Sequence, residues 1–289
     1  MTVGTFDGVH RGHWHVLEVL CETAQRLGRP SVLVTFDPHP LTVVRPETAP
    51  RLLTTPSEKV DVLAESGVNY AVFLRFDRTL ADYPPERFVD EILIERFGMA
   101  HLVIGYDHGF GKGRSGDVET LQRIGASRGF HVEVVEAVAA RSEPVSSTRI
   151  RRALEAGDVA AAAAGLGRPY AMRAAVVAGD GRGRALGFPT ANLRPTDEAK
   201  LVPAEGIYAV RVHLRARNLD GVMHVGRRPT FPGASATIEL HIFDFDEDLY
   251  GAEVLVTFHA RIRDVARFDS VEALIAAMAE DCRIARSLL

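Results

Sequence analysis

The sequence predicts an α/β unit with a parallel sheet, followed by a small antiparallel β unit, barrel or sandwich, against which a final helix lies. Three observations lead there. In the first half, strand-like runs alternate with helical patterns of about 10–15 residues, the grammar of βαβ units. After Gly167, β-rich runs succeed one another with only Gly, Pro and Asn/Asp clusters between them. A chain of 289 residues also suits two domains at roughly 100–200 residues each.

Residues 2–6 form a short β-rich run ending in a Gly/Asp turn. Residues 13–27 carry Val16, Leu17, Leu20, Ala24 and Leu27 at helical spacing and stop at Gly28-Arg29-Pro30. Residues 31–36, 70–74 and 101–105 read as buried strands, with helices expected over 57–65, 85–97 and 117–128. Ser147 is expected to cap a helix through Leu154, and Asp158 opens a second through an alanine run that connects the two halves. The later strands fall at 171–178, 207–214, 222–225, 236–243 and 254–260, and the last helix at 270–288 with Leu274, Ile275, Met278, Cys282 and Ala285 on one face.

Composition narrows the function classes. At 46% hydrophobic and 25% charged residues, the chain is neither disordered nor fibrous. It lacks the roughly 18 consecutive apolar residues a membrane span needs, and residues 1–10 hold no basic or long apolar leader, so the expected compartment is the cytoplasm. Cys21 and Cys282, at opposite ends, argue against a disulfide framework or a cysteine metal site. Net charge is −4, with 18 basic and 22 acidic residues up to Gly167 and 16 of each after it, so neither half is a cationic nucleic-acid module. Only Lys59, Lys112 and Lys200 of the 34 basic residues are lysines. Genomic composition accounts for that bias more simply than a need for arginine phosphate clamps.

Gly4-Thr5-Phe6-Asp7-Gly8-Val9-His10-Arg11-Gly12-His13 stands where the first strand turns into the first helix. In an open parallel sheet, ligands bind beyond the carboxyl ends of strands, and a helix N-terminus there favours anions. Gly4, Gly8 and Gly12 let backbone approach a ligand, and His10 and His13 can donate to phosphate oxygens. No Gly-Lys-Ser/Thr follows, so this is not a P-loop, and Gly111-Lys112-Gly113 lacks the hydroxyl as well. The alternatives for a His-x-x-His pair are surface polarity or two metal ligands, the latter requiring His15 or His39 to converge. Ser146-Ser147-Thr148-Arg149-Ile150-Arg151 places hydroxyls at a helix start with a guanidinium one turn in, which makes an anion site as well as a cap. In the second half, residues 179–192 are glycine-dense and carry arginines, a loop type that can wrap polyphosphate but is often a plain hairpin turn.

These strings resemble a known family. Gly-x-Phe-Asp-Gly-Val-His-x-Gly-His is similar to the signature of the nucleotidyltransferases, in the version carried by bacterial bifunctional riboflavin kinase/FAD synthetases. The likeness continues at Thr35-Phe36-Asp37-Pro38-His39-Pro40, Arg51-Leu52-Leu53-Thr54, Glu58-Lys59 and Val145 to Arg151, and then at Gly187-Phe188-Pro189-Thr190-Ala191-Asn192. Gly206-Ile207-Tyr208-Ala209, Val225-Gly226-Arg227-Arg228-Pro229-Thr230-Phe231 and Leu249-Tyr250-Gly251 add to it, so it spans essentially the whole chain.

The resemblance implies a Rossmann-like nucleotidyltransferase sheet over 1–156, a helical linker over 157–168 and a riboflavin-kinase β-barrel with a terminal helix over 169–289. It implies that riboflavin and ATP give FMN, and FMN and ATP then give FAD. His10 and His13 are the expected catalytic pair of the second reaction, with Gly4, Phe6, Asp7, Gly12, His39, Ser146, Ser147, Thr148 and Arg151 around the ATP phosphates. Glu239 is the expected catalytic carboxylate of the kinase, although a solvent-facing strand residue would look the same between Ile238 and Leu240. Gly179, Gly181, Gly187 and Pro189 are expected at its ATP, and Thr190 and Asn192 as hard oxygen ligands for Mg²⁺. Asp107, Phe110, Arg263 and Asp281 are expected at flavin.

His108-Gly109 stands where the family carries Phe-Arg, and His224 where it carries Asn; the first departure makes a kinase with a weak or regulatory adenylyltransferase module the alternative. The run Asp244 to Asp248 lacks calcium-loop spacing and reads as a solvated turn. The chain begins almost on its first strand, shorter than the lead of relatives, which suggests a truncated or misassigned start. Partners are expected to be ATP, riboflavin and FMN, not nucleic acid or membrane, with the protein a monomer or weak homo-oligomer.

Overall fold

Four consecutive residues of Val32–Asp37 (β2), Leu33 to Phe36, are buried, as a strand covered on both faces requires. In the computed structural model, which describes residues 1–140, 143–179, 183, 186–226 and 237–289, this strand lies within the first of two units, Met1–Ser147 and Thr148–Leu289. Thr2–Val3 (β1) and Tyr70–Arg75 (β3) pair with it in parallel, and His101–Gly105 (β4) pairs in parallel with His131–Val135 (β5). The Val103 amide donates to the Met1 carbonyl at 2.8 Å, which sets β4 beside β1. The resulting order, β3-β2-β1-β4-β5, reverses direction between β1 and β4, and a ligand crevice opens beyond the strand ends at such a reversal.

Arg11–Arg26 (α1) buries Val16, Leu17, Leu20, Thr23 and Ala24 at the expected spacing. Short helices Pro40–Val44 (α2) and Arg78–Ala81 (α4) flank Pro56–Ala64 (α3). The helix expected over 85–97 differs in kind: Pro85–Arg87 (α5) passes into a π-helical stretch, Phe88–Arg96. Its apolar pairs Phe88/Leu93, Val89/Ile94 and Ile92/Phe97 are five apart and all join the core, which suits i→i+5 winding. Val118–Arg128 (α6) ends on Gly129 in the left-handed region (φ 76°), and β5 follows at once. β5 is not among the strands expected from sequence; its parallel pairing with β4 extends it. Ala139–Ala140 (β6) and Glu143–Pro144 (β7) then form a small antiparallel pair.

Ser147–Glu155 (α7) and Val159–Leu166 (α8) follow; Asp158 caps the alanine-rich α8 by accepting from the Ala161 amide at 2.8 Å. The β-rich half is a barrel and not a sandwich. Tyr170–Val177 (β8), Ala191–Pro195 (β9), Gly206–Leu214 (β10), Arg217–Gly226 (β11), Thr237–Ile242 (β12) and Glu253–Arg263 (β13) close in the order β10-β11-β12-β9-β8-β13. Met172, Ala174, Tyr208, Val210, Met223, Leu240, Val256 and Phe258 are buried at alternating positions and fill it. β9 was not foreseen: Asn192 and Pro195 disfavour strands, and only pairing with β8 and β12 extends them. Val271–Leu288 (α9), capped by Ser270, packs on the outside of the barrel through Ala285 and Cys282. Among the described residues no helix is long and apolar enough to cross a membrane. Gly181 and the string Arg227 to Phe231 lie outside the described residues.

Candidate active sites

The loop between β1 and α1 sits at the sheet reversal and is bent by unusual backbone. Phe6 (φ 46°), Gly8 (φ 82°) and Val9 (φ 39°) all have positive φ, and two of the three are not glycine. Such geometry costs energy at Phe6 and Val9, so surrounding contacts must impose it. Both side chains are buried, and polar ties from distant segments fix the backbone.

The first tie is Asp7. Its carboxylate, 2% exposed, accepts from the amides of Leu53 (3.0 Å) and Thr54 (3.0 Å), while the Gly8 amide donates to Thr54 Oγ1 at 3.0 Å. Asp7 was expected at the ATP phosphates; the structure turns its charge inward to backbone donors, where a carboxylate shapes the loop without repelling an anion. The second tie is Lys59, 6% exposed, whose Nζ donates to the Thr5 carbonyl at 2.7 Å. The same carbonyl accepts from Thr35 Oγ1 at 3.0 Å. Burial pulls the Lys59 pKa down, and the nearby Asp7 and Asp37 charges pull it partly back. The third is Ser147, whose hydroxyl donates to the Asp7 carbonyl at 2.9 Å. Because α7 begins at Ser147 itself, the cap position expected there falls on Ser146.

His10 and His13 form a capping box built from two imidazoles. The His13 amide donates to His10 Nδ1 (3.4 Å) and the His10 amide to His13 Nδ1 (3.3 Å). The rings stack 3.7 Å apart, with Phe6 packed on His13 at 4.8 Å. Each Nδ1 therefore presents a lone pair, so each neutral ring carries its proton on Nε2, as a donor pointing away from the cap. The glycines serve this packing: a Cβ at Gly12 would come within 3.2 Å of the His10 ring, and one at Gly4 within 3.0 Å of Phe6.

The other residues expected for adenylyl transfer fall on several elements. His39 lies two residues beyond β2 and caps α2, accepting from the Leu41 amide at 3.2 Å. Thr148 and Arg151 continue α7 after Ser147. Asp107 is exposed just past the carboxyl end of β4, on the other side of the reversal from the histidines. Phe110, expected at flavin, is 7% exposed and packs on Phe88 at 5.0 Å, with His108 edge-on to it at 5.5 Å.

In the second unit the strand ladder does the positioning. Val222, His224, Glu239 and His241 alternate with the barrel's interior residues and so face outward, into a cavity that Leu274, Met278 and Cys282 of α9 close. Glu239 stands directly opposite His224 on one side and Asn192 on the other. Thr237 Oγ1 donates to Glu239 Oε1 at 2.8 Å. Arg263 and Asp281 also line the cavity, yet they chiefly grip each other: the guanidinium donates twice to the carboxylate at 2.7 and 2.6 Å. With Asp281 4% exposed, this two-pronged pair pins α9 to the end of β13 and makes the cavity rim.

The Gly187–Asn192 segment lies along the same cavity. Gly187 turns it with φ 83°. His241 Nδ1 donates to the Pro189 carbonyl at 2.8 Å, a link to β12 that the sequence reading missed, since residues 52 apart share no local pattern. Gly179 and Gly183 permit the closest approaches: a Cβ at Gly179 would overlap the Asn192 amide, and one at Gly183 would press on Thr190 Oγ1 at 2.8 Å. A second cavity, lined by Val176, Leu240, Ile242, Phe245, Leu249 and Tyr250, shares Thr190 with the first. Burial beside Asp281 pushes the Cys282 thiol up to about 11.

Comparison with known proteins matches both halves. A family model described as FAD synthetase covers residues 1–149, and one described as riboflavin kinase covers residues 166–289. A bifunctional riboflavin kinase/FMN adenylyltransferase of Escherichia coli (strain K12) is 38% identical over 287 residues, 99% of this chain and 91% of the relative. The protein of the same description from Pseudomonas fluorescens is 40% identical over 288 residues, 99% of this chain and 92% of its own. A crystal structure of a macrolide-efflux protein from Streptococcus pneumoniae is similar at a TM-score of 0.88 and 34% identity, covering 99% of this chain and 93% of that one.

Proposed function

The chain belongs to the bifunctional riboflavin kinase/FMN adenylyltransferase family, and from that premise we propose which of its residues carry each reaction. The protein phosphorylates riboflavin with ATP to give FMN and ADP, and adenylylates FMN with ATP to give FAD and pyrophosphate. The proposed domains are residues 1–156 for adenylyl transfer and 169–289 for the kinase, joined by a helical linker over 157–168. The cytoplasm is the proposed compartment.

In the adenylyl transfer, an FMN phosphate oxygen attacks the α-phosphorus of ATP in line, and the bond to pyrophosphate breaks. His10 and His13 supply two Nε2–H donors fixed by their mutual cap, so they meet the developing charge on phosphate without reorganising. Gly4, Phe6 and Gly12 shape the loop that faces the phosphates, and Ser146, just before α7, with Ser147, Thr148 and Arg151 of its first turns, supplies hydroxyl and guanidinium donors. Asp107 is the flavin contact beyond β4.

In the kinase, Glu239 orients the riboflavin hydroxyl and takes its proton as the oxygen attacks the γ-phosphorus. The observation that carries this assignment is the pairing of Glu239 with Asn192 across β12 and β9. It sets the base beside an amide oxygen suited to a hard cation. Thr190 and Asn192 fit Mg²⁺ in chemistry, and the missing Cβ atoms of Gly183 and Gly179 let the backbone pack directly against both side chains. Thr190 and Asn192 would hold Mg²⁺, which would supply charge neutralisation at the ATP phosphates. The flavin ring occupies the apolar cavity beneath α9 and the nucleotide base the second cavity, with Thr190 on the wall common to both.

A time course with riboflavin, ATP and Mg²⁺, its flavins separated by chromatography, tests the reading. FMN appears first and FAD follows; FMN that persists even when supplied as substrate would remove the first unit's role.

A further inference from the structure

We propose that Lys59 is a positioning residue for adenylyl transfer, its ammonium fixing the Thr5–Phe6 peptide so that the Phe6 N–H is presented to the nucleotide phosphates. The inference rests on the assignment of that reaction to the histidine loop. The loop has no lysine of its own, and the fold brings one from 54 residues beyond Thr5. Lys59 shares a face of α3 with Leu63, four residues on, and both are buried, so the helix aims an ammonium where an apolar side chain would be expected. Nothing about solvation favours that placement, since burying a cation is costly unless it is bonded and paired. Here it is both: Nζ reaches the Thr5 carbonyl at 2.7 Å and Thr35 Oγ1 at 3.5 Å, and Asp7 and Asp37 face it from the loop and from the end of β2.

The consequence follows from peptide geometry. The Thr5–Phe6 bond is trans, so its N–H points opposite to its C=O. With the carbonyl drawn inward by Lys59 and Thr35, the Phe6 N–H faces away from them. The φ of 46° at Phe6 then carries the chain on toward Gly8 and the histidines. A cation on the carbonyl polarises the whole peptide and strengthens the N–H as a donor. Lys59 thereby acts on phosphate through one peptide unit, without touching it.

The test is steady-state adenylyl transfer from FMN and MgATP across pH in the full chain, for Lys59→Gln, Lys59→Arg and His10→Ala. Trp14, the chain's single tryptophan, packs against the core under α1, and its emission reports whether the first unit is folded. In Lys59→Gln, kcat falls by about 30-fold or more while KM for both substrates stays within about threefold. Burial lowers the pH at which Lys59 loses its charge, so kcat of the unaltered protein falls on the alkaline side as the ammonium deprotonates. Lys59→Arg abolishes that alkaline fall, because a guanidinium does not titrate there. A folded Lys59→Gln with nearly unaltered kcat, or a Lys59→Arg that keeps the alkaline fall, overturns the proposal. Should Lys59→Gln not fold, the Lys59→Arg profile decides. A His10→Ala enzyme with full activity would instead overturn the placement of the reaction at the histidine loop.

Discussion

The histidine loop and the barrel wall are built in opposite ways. The loop gathers its working groups within ten residues of sequence and then needs Leu53, Thr54, Lys59 and Ser147, from far along the chain, to hold it in a strained path. The barrel draws Asn192, His224, Glu239 and His241 from three strands, and ladder register sets their spacing. A loop is therefore sensitive to loss of its polar supports, and a barrel wall to any atom added where strand and loop touch.

The sharpest way to break this comparison is Glu239→Ala. FMN production falls by about 10²–10⁴-fold, while FAD formation from supplied FMN is unchanged, as chromatography of the two flavins would reveal. His10→Ala or His13→Ala does the reverse, with adenylyl transfer down by about 10²–10³-fold. Equal loss of both activities in each variant would mean the sites are not independent.

Gly179→Ala sharpens the barrel side. The added methyl overlaps the Asn192 amide, so kinase activity drops by about tenfold to a hundredfold with the barrel still folded. An unaltered rate at saturating Mg²⁺ would disconnect Asn192 from the metal. Asp7→Asn sharpens the loop side through stability. Its neutral amide is a poorer acceptor for the Leu53 and Thr54 amides, costing the first unit about 1–3 kcal/mol in a denaturation followed by Trp14 emission. The smallest effect is expected at Cys282. With its thiol at about 11, alkylation at pH 8 runs slowly beside that of a free cysteine and slows further with riboflavin bound. Rapid labelling indifferent to riboflavin would place the ring elsewhere.

Much of this was legible in the sequence, for reasons that differ by element. α1 announced itself because Val16, Leu17 and Leu20 repeat at the helical period, and the histidine string because its groups are contiguous. β9 stayed hidden because its residues disfavour strands and only its neighbours extend them. The π-helical turn at Phe88–Arg96 looked like an ordinary helix, since five-residue spacing is easily read as a blurred four. Arg263 and Asp281 were both singled out for flavin, and their grip on each other could not be seen from positions 18 apart.

The sequence by itself determined the two-part α/β and β organisation and the helix faces, because those follow from local period. Only the tertiary structure decided that Asp7 turns inward, that the two imidazoles lock each other's tautomer, and that Lys59 stands behind the loop. Each of these depends on which backbone group a polar atom meets once distant segments pack. Leaving such a group unbonded in the interior costs more than bending the chain to reach it.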